Sequence, residues 1–184
     1  MIKGIFKIAL LAGLFFSATS AHALQSYIFT QDGFAGGGSI TGSFAGNDLN
    51  SDGFIQGAIF NAGGLSEITS FSVSWSGNDT IPAFSHTSSD LTFFSFDTAK
   101  STLGQVNPEG IATNWFGLTG YQYLTGQGVN SYNGSYVVNA ETLVNVETFG
   151  LINVAPVTSV PLPGAAWLFG PALLSVFRLK RRSA

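Results

Sequence analysis

Residues 68–77 read ITSFSVSWSG, and the spacing within this stretch decides the fold. Phe71, Val73 and Trp75 alternate with Ser72, Ser74 and Ser76. A period of two is that of a strand with one buried face, whereas a helix would repeat every three to four residues. Residues 68–77 are therefore expected to form a strand with an apolar inner face and a hydroxylated outer one.

The same alternation appears upstream in SITGSFAG (39–46), where Ile40, Gly42 and Phe44 oppose Ser39, Thr41 and Ser43. LTFFSFD (91–97) and SYVVNAETLVNVETFG (135–150) are rich in the β-branched and aromatic residues that suit a pleated surface. Turn signals separate these runs at GGG (36–38), NAGG (61–64), SGNDTIP (76–82), VNPEG (106–110) and SYNG (131–134). No helical stripe runs between residues 24 and 155, and no fixed-period repeat suggests a solenoid. The expectation is an all-β chain: a single β-sandwich or jelly-roll-like domain, with a closed barrel as an alternative. It is flanked by an N-terminal signal helix and a C-terminal transmembrane helix.

The flanks are read from charge and hydropathy. Lys3 and Lys7 precede the uncharged run IALLAGLFF (8–16), and SATSAHA (17–23) ends with Ala21, His22 and Ala23. Basic, apolar and then small residues make a secretory signal over 1–23, with cleavage after Ala23 directed by Ala21 and Ala23. The secreted β-domain is then expected over 24–155.

The far end, 156–184, closes with VPLPGAAWLFGPALLSVFRLKRR (160–182). No charge occurs between Val154 and Phe177, and Arg178, Lys180, Arg181 and Arg182 follow. A helix begun near Pro163 is short for a membrane span of roughly 20 residues, and Pro171 would kink it. The basic cluster should stay on the cytoplasmic side, which places the domain outside, as the signal does.

This tail resembles a PEP-CTERM sorting domain. Val160, Pro161, Leu162 and Pro163 match the Pro-x-Pro step, Trp167 to Phe177 match the apolar helix, and Arg178 to Arg182 match the basic stop. Leu162 stands where the family usually has Glu. The resemblance covers about the last 25 residues and implies three things: an exosortase-type membrane protease as partner, removal of the tail, and delivery to the surface or exopolysaccharide matrix of a Gram-negative bacterium. The precursor would be held in the inner membrane until then. Tails of this type also carry the name ice-binding protein C-terminal domain, which by itself says nothing about ice.

The two flanks hold six of the seven basic residues, leaving Lys100 against all ten carboxylates between 24 and 160. A domain at −9 repels phosphate backbones, so no nucleic-acid partner is expected. Cysteine is absent, which removes disulfides and thiol chemistry. Twelve phenylalanines in the same span favour a packed core over disorder.

Candidate sites are few. GNDLNSDGFI (46–55) places Asp48, Asn50, Asp52 and Gly53 as the first half of a calcium loop, where alternating oxygens converge and glycine allows the sharp turn. The twelfth position is Ile59 instead of a bidentate Glu, and a polar hairpin turn uses the same residue types. Asp48, Asn50 and Asp52 are thus candidate calcium ligands, with Glu67 or Asp32 available to complete a site; no other cofactor is expected.

His86 is the one histidine left after signal removal, in FSHTSSD (84–90), and it reads as a loop residue rather than a general base. No G-x-S-x-G elbow is present. Asp79, Asp90, Asp97 and Glu109 are the carboxylates open to a glycoside hydrolase, with no spacing that selects a pair. Trp115, Tyr121, Tyr123, Tyr132 and Tyr136 cluster in NWFGLTGYQYLTGQGVNSYNGSY (114–136) amid Asn, Gln and hydroxyls, which suits an exopolysaccharide-binding face. No Thr-x-Thr pair occurs, which argues against ice binding. The expectation is a non-enzymatic, surface- or matrix-associated structural or adhesive protein; the rival is a small secreted hydrolase of matrix glycan.

Overall fold

A computed structural model describes residues 24–57, 66–130 and 134–157. The signal, the sorting tail from residue 158 on, NAGG, Ile59 and Tyr132 lie outside them, while Pro156, at the start of the expected tail, ends β12. The described chain is all-β. It forms β1 (Gln25–Gln31), β2 (Ile40–Gly46), β3 (Phe54–Gly57), β4 (Ile68–Trp75), β5 (Phe84–Thr87) and β6 (Leu91–Asp97). It continues with β7 (Thr102–Leu103), β8 (Gly110–Thr113), β9 (Tyr121–Thr125), one helical turn α1 (Gln127–Asn130), β10 (Ser135–Asn139), β11 (Asn145–Thr148) and β12 (Ile152–Pro156).

The strands make two antiparallel sheets in a sandwich-like arrangement. Sheet A runs β5-β4-β2-β1-β12-β7 and sheet B runs β11-β10-β9-β8-β6-β3. The alternation read in residues 68–77 is realised in β4, where Phe71, Val73 and Trp75 are buried and Ser72 is exposed. In β2, Ile40 and Phe44 are buried while Thr41 and Ser43 face solvent.

Contacts on all four sides show that the two strand directions cross at a steep angle. Edge strand β5 lies over one end of sheet B, with Phe84 stacked on Tyr121 at 5.1 Å. Beyond edge strand β7, at the other end, the Gln127 N–H donates to the Gly104 carbonyl. One end of sheet A lies over β3, where Glu67 N–H donates to Gln56 C=O, and the other lies over β11, where Ala35 N–H donates to Glu147 C=O. Edges β5 and β7 of sheet A thus meet ends of β9, and loops at the ends of sheet A strands meet edges β3 and β11, which is the pattern of orthogonal packing.

Aromatic rings fill the crossing. Phe44 of β2 lies 4.7 Å from Phe94 and 5.3 Å from Phe96, both on β6, and stacks on Tyr27 of β1 at 4.8 Å. Tyr27 also meets Phe96 edge-on at 5.2 Å, and Phe71 meets Phe94 at 6.0 Å. Gly42 completes the fit: a Cβ there would strike the Phe29 ring and the Ser72 carbonyl. Truncating Phe44 to Ala should cost about 3–5 kcal/mol, the usual loss for a large buried ring. Gly42→Ala should also destabilise, because one neighbour is rigid backbone. Urea unfolding of the two variants checks both, and a Phe44→Ala loss below about 1 kcal/mol would contradict the packing.

Candidate functional site

The loop joining β2 to β3 closes on its own backbone. Asp48 accepts from Asp52 N–H and from Gly53 N–H at 2.8 Å. Asn50 Oδ1 accepts from Asp52 N–H, and Asp52 Oδ1 accepts from Phe54 N–H. Gly53 sits at φ +90°, the left-handed conformation that glycine adopts without steric cost.

Glu67, one of the two carboxylates suggested as completing the site, does reach the loop. Its Oε1 accepts from Leu49 N–H at 2.8 Å and from Asn50 N–H, and its Oε2 accepts from Gln56 N–H. Asp32 does not reach it and sits beside β11, where its carbonyl accepts from the Thr148 hydroxyl. Among the described residues, no three His, Asp or Glu side chains form a group that could hold a metal ion. Every side-chain oxygen of Asp48, Asn50, Asp52 and Glu67 accepts from an N–H group of the same region.

Most of the remaining carboxylates are engaged by nearby backbone N–H groups, and Asp97 N–H itself donates to Glu109 Oε1. Glu109 is 1% exposed, and its Oε2 accepts from the N–H groups of Gly104, Gln105 and Val106. It closes the turn that contains the cis Asn107–Pro108 bond. Asp90 accepts from Thr87 N–H and Asp97 from Ala99 N–H, each within its own turn, while Asp79 is exposed between β4 and β5.

His86 corrects the sequence reading. It is not in a loop but on β5, 7% exposed, with its ring turned toward sheet B. The alternation F-S-H-T sends positions 84 and 86 inward together. The Asn114 amide nitrogen donates to Tyr121 C=O and faces His86 Nε2 at 3.3 Å, so Nε2 acts as acceptor. The proton then sits on Nδ1, 2.8 Å from the Thr113 hydroxyl. Burial pushes the imidazole pKa down, and the nearby Asp90 charge offsets this only in part.

The aromatic cluster is dispersed by the fold. Tyr123 is fully buried, and its hydroxyl donates to Gln31 Oε1 at 2.8 Å. Burial raises its pKa far above the usual phenol range. Tyr121 packs on Phe84, and Tyr136 is half-buried on β10. Alternation along β9 explains the correction, because a strand residue flanked by Gln122 and Leu124 points to the opposite face from both.

Solvent is reached instead by Phe116, 62% exposed, which stacks at 5.2 Å on the half-buried Trp115 in the loop between β8 and β9. That loop is clamped at its base. Gln122 Nε2 donates to the carbonyls of Asn114 and Gly117 at 2.8 and 2.9 Å, and Asn114 holds φ +50°.

A second surface exists only across strands and not along any single one. Outward side chains of sheet A line up across strands: Ser85, Ser74, Thr41, Thr30, Asn153 and Thr102 are successive partners through all six. The neighbouring rung runs Thr87, Ser72, Ser43 and Ile28. Ser43 bonds Ser72 at 2.9 Å and Ser74 bonds Ser85 at 2.8 Å. The serine alternation of β4 was visible in the sequence, but its register with β2 and β5 was not. The chain matches no protein-family model, curated protein or solved structure.

Two measurements follow. Glu67→Ala should lose about 2–3 kcal/mol, since charge-assisted bonds to three backbone donors vanish, while calcium should leave the wild-type melting temperature unchanged. A rise of several degrees with calcium would instead make the loop a metal site. For His86, the native state resists protonation below the unfolded value of about 6.5. The unfolded chain then binds more protons, so the stability that His86 contributes is present above that pH and is lost as pH falls below it. Urea unfolding between pH 7.5 and 5 should show this decline, and His86→Gln should flatten it.

Proposed function

We propose that this chain is an exported, non-catalytic adhesive protein of the cell surface or extracellular matrix that holds exopolysaccharide. The observation that carries the reading is the stacked Trp115–Phe116 pair, with Phe116 exposed and Trp115 half-buried, on a loop whose base is fastened by Gln122. A stacked aromatic pair offers a flat apolar platform to the C–H face of a sugar ring, and a pre-ordered loop loses little entropy on binding. The engagement of Glu109, Asp90 and Asp97 with backbone donors favours binding over hydrolysis. Glycosidic cleavage needs two carboxyl groups facing each other across a substrate.

In this proposal residues 1–23 export the chain and 156–184 retain it at the inner membrane until an exosortase-type protease acts near Val160, Pro161, Leu162 and Pro163. The framework between them is an orthogonal sandwich rather than a jelly roll. Its strands β8, β9, β10 and β11 form a simple meander, where a jelly roll is built of two Greek keys.

The test incubates the chain, as exported by its host, with the polymer of the same cell. Retention without shortening of the polymer is expected, and Trp115→Ala should weaken retention roughly three- to tenfold. Shortening of the polymer would make the protein the hydrolase instead. Intact mass of the surface form should lack Arg178 to Arg182; finding them still attached would replace sorting with plain anchoring.

A further inference from the structure

We infer that the outward face of sheet A is where this protein grips a neutral polysaccharide, with the glycan chain lying across the strands along the rungs. The inference rests on the glycan-binding reading above and adds to it the surface and the charge class of the ligand.

The first rung crosses the whole sheet without a charge. Its six members are five hydroxyls and one amide, placed in register by consecutive strand pairings. Strands lie about 4.8 Å apart, and same-face residues recur about every 6.8 Å along each strand, so the face is a grid of hydrogen-bonding groups. A polymer that carries hydroxyls at every ring can meet successive strands along one rung. The sideways bonds Ser43–Ser72 and Ser74–Ser85 fix hydroxyl directions and still leave oxygen lone pairs open to a ligand. Ile28, 50% exposed on the second rung, gives an apolar spot for a ring face.

Charge selects among glycans. Ten carboxylates lie between residues 24 and 160, yet none stands on either rung. An anionic polymer would be repelled by a domain at −9, whereas a neutral one meets an uncharged window. The β5 edge links this face to the aromatic pair on which the glycan reading rests. The rungs end at β5, whose inner side chains Phe84 and His86 rest on Tyr121 and Asn114. Asn114 is the foot of the Trp115–Phe116 loop, so edge strand β5 packs against the base of the loop that carries those rings.

Ice is the other ligand for a hydroxyl grid, and sheet geometry disfavours it. Adjacent strands rotate by about 20–25°, so rungs across six strands are not coplanar. A flexible polymer follows that twist, but a crystal face cannot.

The experiment uses the chain as exported by its host, with amorphous cellulose as neutral probe, carboxymethyl cellulose as its anionic counterpart, and the polymer of the producing cell. Thr41→Val with Ser74→Val removes two central hydroxyls and leaves a strand-favouring β-branched residue at each position. Retention on cellulose should fall roughly tenfold with the melting temperature unchanged, Ser72→Thr with Ser74→Thr should retain it, and carboxymethyl cellulose should bind more weakly than cellulose. If the valine pair is retained like wild type while Trp115→Ala is not, the face is not the site and the glycan reading stands. Preference for the charged polymer would overturn the inference in the same way. If no polymer retains the wild type, the glycan reading itself falls and takes this inference with it. Ice shaping lost in the valine pair would reassign the face to ice.

Discussion

The structure depends on the contact between Phe44 and the pair Phe94 and Phe96. These three rings pack together between the two sheets, inside a core that also holds Trp75, Ile111 and Tyr123. Tyr27, Phe29 and Phe71 then wedge in from neighbouring strands of sheet A. Because rings tolerate edge-on and stacked approaches alike, one crossing point can be filled from several directions without long aliphatic chains. Close approach is secured on the sheet A side by Gly42, where any side chain would displace Phe29.

Around this apolar centre, polar groups act as fasteners at the corners. Gln31 joins β1 to sheet B by donating to the Ser135 hydroxyl and accepting from Tyr123. At the β5 corner His86 does the same through Thr113 and Asn114. Glu67 and Glu109 tie loops that pass between sheets, each to several backbone donors. A chain with a single lysine between 24 and 160 has almost no opportunity for ion pairs there. Its buried carboxylates are held by amide N–H groups, which places acidic residues where chain corners need acceptors.

Much of the fold was legible in the sequence. The period of two in residues 68–77 and 39–46 gave the strands, their inner faces and the all-β class, because a half-buried strand is a local pattern. Pairing between distant strands was not legible, since it depends on which edges meet in space. That is why His86 read as a loop residue and why the hydroxyl rungs were hidden. The calcium-like loop was found by its spacing, but its closure by Glu67 needed a long-range contact. Tyr123 was misplaced for a different reason. Its polar neighbours suggested a surface, whereas its phenol had a buried partner in Gln31, 92 residues away.

The position of β12 between β1 and the edge strand β7 has a mechanical consequence. It is flanked by β1 over Tyr27 to Thr30 and by β7 over Thr102 and Leu103, and the chain leaves it at Val157. Tension entering there pulls along the strand axis, loading both hydrogen-bond ladders in shear so that several bonds must fail together. An edge strand tugged sideways would open one bond at a time. The same exit lies beside the entry at Leu24, because β1 and β12 are antiparallel neighbours. Grasping both ends at once would therefore unzip their shared ladder, whereas a tether at one end alone meets the stronger direction.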